Sequence, residues 1–340
     1  MERFLAPFTL NILYYFSHTF NIYYLKIYNN SMKRIPRTNV YNTLNKDNPP
    51  ADYVKPGEIF EVETELNGGT WLNSLDDLWE PGKSKGPNLC TVIGVEGAKA
   101  GDTLAVEILD VKPAEIGYTG FAGWRSKLSQ DIYPNDWDVV TKTVRITDDY
   151  VDWSDNLKLP IRSMIGTIGT APSGEPESNY YAWHNGGNMD VQEVCKGTTI
   201  YLPISVDDAL LHVGDCHAIM GDGEIPHGGG IECRAVCTLR VSLIKGYKAK
   251  NWIRMENEDY IMTIANEDRM KDSFTGACHE LIDWMVDDYN FTPQEAFLLL
   301  GQVLHARCTM THGDPNRFSP YICKVNKKYL KADDKAVWKN

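Results

Sequence analysis

A chain of 340 residues with a hydrophobic fraction of 43%, 18 Tyr and 9 Trp carries enough apolar side chain to bury a core, which excludes a disordered polypeptide. Its net charge of -12, with no long basic run, excludes a surface that tracks nucleic-acid phosphates, because such surfaces depend on clustered Lys and Arg. Eight Cys spread over this length without a C-x-x-C pair exclude a disulfide framework and a thioredoxin-like motif, and point to a reducing cytoplasm.

Leu5 to Leu25 carries no Lys, Arg, Asp or Glu, but Pro7, Asn11, Ser17, His18 and Asn21 interrupt it. Arg3 is its only leading base and no small-residue cleavage site follows, so neither a membrane span nor a signal peptide is expected. Residues 1–31 are read as a non-core extension of the kind a mis-assigned start codon produces, and 32–340 as a single domain.

From Met32 onward short strands alternate with turn signals. Between Ile59 and Leu66, Phe60, Val62 and Thr64 alternate with Glu61, Glu63 and Glu65, predicting one buried and one wet face. The same period places Leu104, Val106 and Ile108 on one face of Thr103 to Val111, and Leu239, Val241 and Leu243 on one face of Cys237 to Ile244. Such half-buried strands belong to antiparallel sheets. Pro56-Gly57, Gly101-Asp102 and Gly214-Asp215 are expected to reverse the chain at strand ends. Trp71, Trp79, Trp124, Trp137 and Trp153 are assigned to core or subunit contacts. Helix is expected mainly in the C-terminal third. Ser273 to Val286 carries Leu281, Ile282 and Met285 on one side, and Thr292-Pro293-Gln294-Glu295 has the form of a capping box. Phe297, Leu298, Leu300 and Leu304 should then form an apolar stripe running to His305. The expected fold is mainly β, an antiparallel sandwich-like domain with a few C-terminal helices.

Coordination-capable residues concentrate in His184-Asn185-Gly186-Gly187-Asn188-Met189-Asp190 and in Gly214 to Glu224. Carboxylates and a His so close together are costly to bury unless paired, protonated or bound to a metal. On extended strands Asp215 would share a face with His217, Asp222 with Glu224, and Asn188 with Asp190. A metal held by His and carboxylates with one open position can activate water and polarise a carbonyl, and a carboxylate outside the coordination sphere can act as general base. Turn chemistry explains Gly221 to Glu224 equally well, so Asp222 keeps both readings. His212 and His227 are read as ordinary surface or loop histidines. Cys216 and His217 cannot readily act as nucleophile and base, since adjacent strand residues face opposite ways. A serine nucleophile lacks its G-x-S-x-G elbow, Gly228-Gly229-Gly230 lacks a phosphate-loop context, and Cys233 with Cys237 is assigned to the core rather than to a metal with His227.

The elements N-G-G-N-M-D, then G-D-C-H-A-I-M-G-D-G-E, then Gly230-Ile231-Glu232, resemble the signature of the acetamidase/formamidase family. The likeness extends to Val54–Glu58, Gly94–Val111, Met164–Gly169 and the C-terminal helices, nearly everything after Met32. It implies a sandwich-like β fold, an oligomer that is often a dimer, hydrolysis of formamide or acetamide to a carboxylate and ammonia, and a divalent metal. Zinc is expected, with calcium as the alternative. Asn188, Asp190, Asp215, His217, Asp222, Glu224 and Glu232 fall on the family pattern. The expected metal ligands are Asp190, His217 and Asp215, and the expected catalytic residues are Glu224, Asp222 and Asn188, Glu224 serving as general base or as a ligand. Some members carry His where this chain has Asn185, and the Gly-rich stretch 226–230 suggests a different pocket wall. The competing reading is a non-catalytic or differently specific relative that keeps the scaffold and a structural metal.

Overall fold

The computed structural model describes residues 32–122, 127–132, 139–226, 228–311 and 319–330, so the expected extension 1–31, Trp124, Trp137 and His227 lie outside the described residues. Contacts divide the chain into Met1–Arg34 and Ile35–Asn340, and the elements described are those of the second unit.

Alternation in Ile59–Thr64 buries Phe60, Val62 and Thr64. The strand lies antiparallel to Glu232–Ile244, with Phe60 opposite Leu239 and Val62 opposite Cys237. Glu232–Ile244 in turn pairs antiparallel with Thr103–Ala122, Val241 meeting Val106 and Leu243 meeting Leu104. At 20 residues this last strand is twice as long as its alternating segment suggested. Its first half also pairs with Thr199–Pro203 and its second half with Val139–Ile146, so it serves two regions of the sheet. The fold is mostly β, an antiparallel curled sheet, with one parallel pairing among the described residues, between Asp52–Val54 and Cys90–Val95. Phe60, Val62, Val106, Ile108, Leu239 and Val241 join Ile165, Ile168, Leu211 and Val213 in the main core.

Four of the described strands are buried at every residue: Cys90–Val95, Met164–Gly169, Gly186–Asn188 and Leu211–His217. Burial on both faces removes the alternation that exposes a strand in sequence. Gly214-Asp215, expected to turn, lies inside the last of these strands. A Cβ on Gly214 would stand 2.5 Å from the Leu89 carbonyl oxygen and 2.9 Å from Cys90 Sγ, so the glycine permits close strand approach rather than reversal. His212, read as a surface or loop residue, is fully buried in the same strand. Its Nδ1 lies 2.8 Å from the Leu210 carbonyl and its Nε2 3.1 Å from Asn48 Nδ2, and burial pushes its pKa down to about 4, which leaves a neutral ring that donates through one nitrogen and accepts through the other.

The two C-terminal helices are Met270–Tyr289 and Pro293–Val303, the second closed by the expected reciprocal bonds between Thr292 and Glu295. Ala277, Leu281 and Trp284 pack with Ile261, Cys323 and Val325 of the sheet in a second core. The expected stripe on the second helix is narrower than its pattern implied. Only Ala296 and Leu300 are buried, Phe297 and Leu298 face outward, and His305 begins the strand His305–Cys308. A six-residue helix, Lys127–Ile132, lies outside the C-terminal third. Among the described residues no helix is long and apolar enough to cross a membrane.

Glu280 ties the helical layer to the sheet. Buried completely, it accepts from Arg254 Nε at 2.6 Å and from the backbone N–H groups of Lys250, Asn251 and Trp252 at 3.0, 2.9 and 3.2 Å. Removing one partner of a buried pair strands the other charge, so Glu280→Ala should lower unfolding free energy by about 3–5 kcal/mol. Urea denaturation checks this, and the double variant Glu280→Leu with Arg254→Met should lose clearly less.

Candidate metal centre

Side chains at paired positions of adjacent strands share a face, and this rule assembles the site. His217 is paired with Glu232, and its Nε2 stands 3.0 Å from Glu232 Oε2 and 3.8 Å from Asp215 Oδ1. Thr167 is paired with Asn188 on one side and Gly214 on the other. Its hydroxyl accepts from Asn88 Nδ2 at 3.0 Å and lies 2.9 Å from Asn188 Oδ1 and 3.1 Å from Asp215 Oδ2, so its single proton serves one of those two acceptors at a time.

Asp190 and Glu224 arrive differently, on loops. Both have positive φ, 45° and 39°, and Asp215 has 56°. Left-handed backbone costs a non-glycine residue roughly 1–2 kcal/mol, and three such residues in one cluster mark a place where backbone strain is held by its surroundings. Gly166 forms the floor between them, since a Cβ there would come within 2.5 Å of Asp190 Oδ1 and 2.7 Å of Asp215 Oδ2.

Ligand atoms of Asp190, Asp215 and His217 lie within 4.8 Å of one another, as do those of His217, Glu224 and Glu232. All five residues are buried. Even so, Asp190 Oδ1, Asp215 Oδ1, Glu232 Oε2 and both ring nitrogens of His217 have no hydrogen-bond partner among the described residues. The 3.0 Å approach of His217 to Glu232 is close but not aligned as a hydrogen bond. A stranded buried polar atom costs about 1–3 kcal/mol, so such atoms converging on one place call for an ion to satisfy them. Electrostatics point the same way. Burial pushes the Asp190 carboxyl well above its usual range, with Glu224 and Asp215 adding to the effect, and burial is also the main reason Glu232 is raised. Glu224 is pushed up to about 8 by burial, against the pull of His217 and with help from Glu232 and Asp215. Burial would lower His217, but Glu232 and Asp215 outweigh it and hold the imidazole well above its ordinary value. The cluster thus retains protons that a divalent cation would displace. It opens into a cavity of about 260 Å3 lined by Asn67, Trp79, Asn88, Tyr118, Tyr180, Asn188, Asp190, Asp215 and Glu224.

Asn188, Asp190, Asp215, His217 and Glu224 therefore come together, with Glu232 beside them. Asp222 does not join them. It was placed on the face of Glu224 by assuming an extended chain, but Gly223 has φ of 80° in a turn, and Asp222 points outward with Oδ1 2.9 Å from Arg307 Nε. His184 is exposed, stacked on Trp252 with its Nδ1 2.7 Å from the Asn251 carbonyl, and the Asn185 amide donates to the Thr170 carbonyl; both lie outside the cluster. Cys216 faces the core, its Sγ 3.6 Å from Cys237 Sγ. Asn67, Asn88, Tyr118 and Tyr180 carry no sequence signal for the site, the sequence assigns Trp79 only to core or subunit contact, and Thr167 enters only within the Met164–Gly169 likeness; Tyr118 and Thr167 are placed by strand register and the others by loops.

Residues 307–311 brace both acidic loops. Thr309 Oγ1 donates to the Met189 carbonyl at 2.7 Å, and Thr311 donates to the Gly223 carbonyl through Oγ1 and its backbone N–H, each at 2.8 Å. Arg307 grips both oxygens of Glu193, one at 2.9 Å, and Lys324 Nζ lies 2.7 Å from Glu193 Oε1.

With this geometry in place, comparison with known proteins is decisive. The profile of the Acetamidase/Formamidase family matches residues 29–182 and 181–316. The chain belongs to the acetamidase/formamidase family. Within it, the chain is similar to an acetamidase of Mycolicibacterium smegmatis, 28% identical over 268 residues that cover 61% of this chain and 66% of that protein. It is also 28% identical over 263 residues to a formamidase of Methylophilus methylotrophus, covering 61% of this chain and 64% of that protein. These matches span just under two thirds of the relatives' own lengths. The crystal structure of an acetamidase from Bacillus halodurans aligns over 89% of this chain and 100% of its own, with 29% identity and a TM-score of 0.79.

The bracing of this acetamidase/formamidase-family site can be tested through Glu193. Burial would raise its pKa, but Arg307 and Lys324 outweigh it and hold the carboxyl down at about 2. A depressed pKa stabilises the fold fully above the ordinary carboxylate range, and the contribution is lost as pH falls from about 4.5 through about 2. Glu193→Gln should cost on the order of 2–3 kcal/mol at pH 7 and flatten the acid limb of the stability curve. Urea unfolding at pH 7 and pH 3 measures both.

Proposed function

We propose that the protein hydrolyses the C–N bond of a short aliphatic amide, of the formamide or acetamide class, to a carboxylate and ammonia. The observation that carries this reading is the convergence of four buried carboxyls and one imidazole, with unpartnered donor atoms, on a cavity sized for a small molecule. Membership of a family whose relatives include an acetamidase and a formamidase supports it.

Asp190, Asp215 and His217 would hold one divalent cation. One nitrogen with two carboxylates suits zinc better than calcium, which prefers an all-oxygen shell. When bound, the ion supplies Lewis acidity that polarises the amide carbonyl and makes water a better nucleophile. Glu232 sets the orientation of the His217 ring and is itself approached by Asn67 Nδ2 at 3.4 Å. Glu224, with proton affinity near neutrality, takes a proton from the attacking water and returns it to the departing nitrogen. Asn188, positioned by Thr167, lines the cavity where the substrate amide would lie. Asp222 contributes through Arg307 to loop position and stays out of the chemistry. Eight free thiols support a reducing, cytoplasmic setting, and the exposed Phe297 and Leu298 support a second copy of the chain as partner in a homodimer.

Purified protein should release ammonia from formamide or acetamide, lose this activity on chelation and regain it with zinc. Asp190→Asn and His217→Ala should each lower kcat/KM by about 10³-fold, equivalent to ~4 kcal/mol of barrier, while Asp222→Asn stays within roughly threefold of the parent. Near-parental ammonia release by either of the first two variants would overturn their assignment, and elemental analysis of the same preparations tests the ion.

A further inference from the structure

Attack on an amide carbon drives negative charge onto the carbonyl oxygen, and a hydrogen-bond donor fixed where that charge appears is among the most effective catalytic devices. The centre is rich in acceptors and poor in donors. Asn67 and Asn88 line the cavity, but each already directs its amide at a neighbour, Glu232 and Thr167. Tyr118 is different.

Tyr118 is paired with Glu232, and Glu232 with His217, so three side chains from three neighbouring strands project from one face of the sheet. At about 4.8 Å per strand, the Tyr118 and His217 backbones are roughly 10 Å apart on that shared face. The ring is held edge-on against Trp71, with centroids 4.7 Å apart, and packs in a small apolar cluster with Leu66, Leu72 and Trp79. Only 4% of the residue is exposed, yet it lines the cavity, and no described residue shares a hydrogen bond with its hydroxyl. Tyr118 thus combines a ring packed against Trp71, an O–H that no other described residue engages, and a place on the cavity wall.

We propose that Tyr118 is a catalytic residue of this site, its phenolic O–H donating to the carbonyl oxygen of the bound amide and to the oxyanion formed when water adds to the carbon. The proposal rests on the amide-hydrolase reading. In the addition step the water oxygen bonds to the carbonyl carbon, Glu224 takes the water proton, and the π pair moves onto the oxygen that Tyr118 contacts. Collapse re-forms the C=O bond and breaks the C–N bond. The nitrogen leaves with that electron pair and receives the proton from Glu224, giving a carboxylic acid and ammonia. Tyr118 keeps its proton throughout. Burial and then the charges of Glu232, Asp215 and Glu224 push its phenol well above its ordinary value, which favours a donor over a phenolate.

Tyr118→Phe tests this, because it preserves the ring against Trp71 and removes one O–H. For acetamide, kcat should fall about 10²–10³-fold with KM within roughly threefold, the range seen when a single oxyanion donor is lost. Thermal midpoint and zinc content should match the parent. Calorimetric affinity of the zinc-loaded protein for acetohydroxamic acid, a probe that presents the same carbonyl, should weaken about 10-fold, a loss of ~1.4 kcal/mol. Parental kcat together with parental probe affinity in Tyr118→Phe overturns the proposal while leaving the hydrolase reading intact. A parent that binds the probe through Tyr118 but releases ammonia from no amide keeps the carbonyl contact and overturns the hydrolase reading. A parent that does neither overturns both.

Discussion

The structure turns on the difficulty of placing Asp190, Asp215, Glu224 and Glu232 out of water around a single imidazole. Such charges repel one another, and the one positive partner cannot balance four negative ones. Two outcomes relieve this: the acids keep protons, or a cation takes their place. The raised proton affinities of Asp190, Glu224 and Glu232 are the first outcome, and the unpartnered atoms of the cluster have the geometry of the second. Much of the surrounding fold is arranged to keep them there.

Where alternation met a half-buried strand, the structure could be read in advance. Phe60, Val62 and Thr64 are buried as their period predicted, the Thr292–Glu295 cap forms, and the two polar runs do carry the acidic cluster. Failures share a physical cause, which is that local pattern does not report distant neighbours. Asp222 and Glu224 look equivalent in an extended chain, but a left-handed glycine between them sends one outward and the other inward. Gly214 resembles a turn residue because nothing in sequence shows the Leu89 carbonyl pressed against it. Tyr118 and Thr167 lack any motif, and they reach the site through pairings with Glu232 and Asn188 that only the folded sheet defines.

The division of labour between strands and loops follows from stiffness. His217, Glu232 and Thr167 sit on strands whose register fixes them, whereas Asp190 and Glu224 occupy loop positions that left-handed backbone and outside support must hold. A rigid half and a braced half together give preorganised donors, which cost no reorganisation when charge develops.

The brace at residues 307–311 also has a meaning in time. Synthesis runs from the N- to the C-terminal side, so Asp190, Asp215 and Glu224 emerge before Arg307, Thr309 and Thr311 can anchor their loops. Until then the acids lie on an unfinished sheet whose long-range pairings are the slowest to form. The pocket is thus completed by a segment synthesised well after the acids it aims, and a nascent chain arrested between the two would carry the full set of acidic groups without the scaffold that aims them.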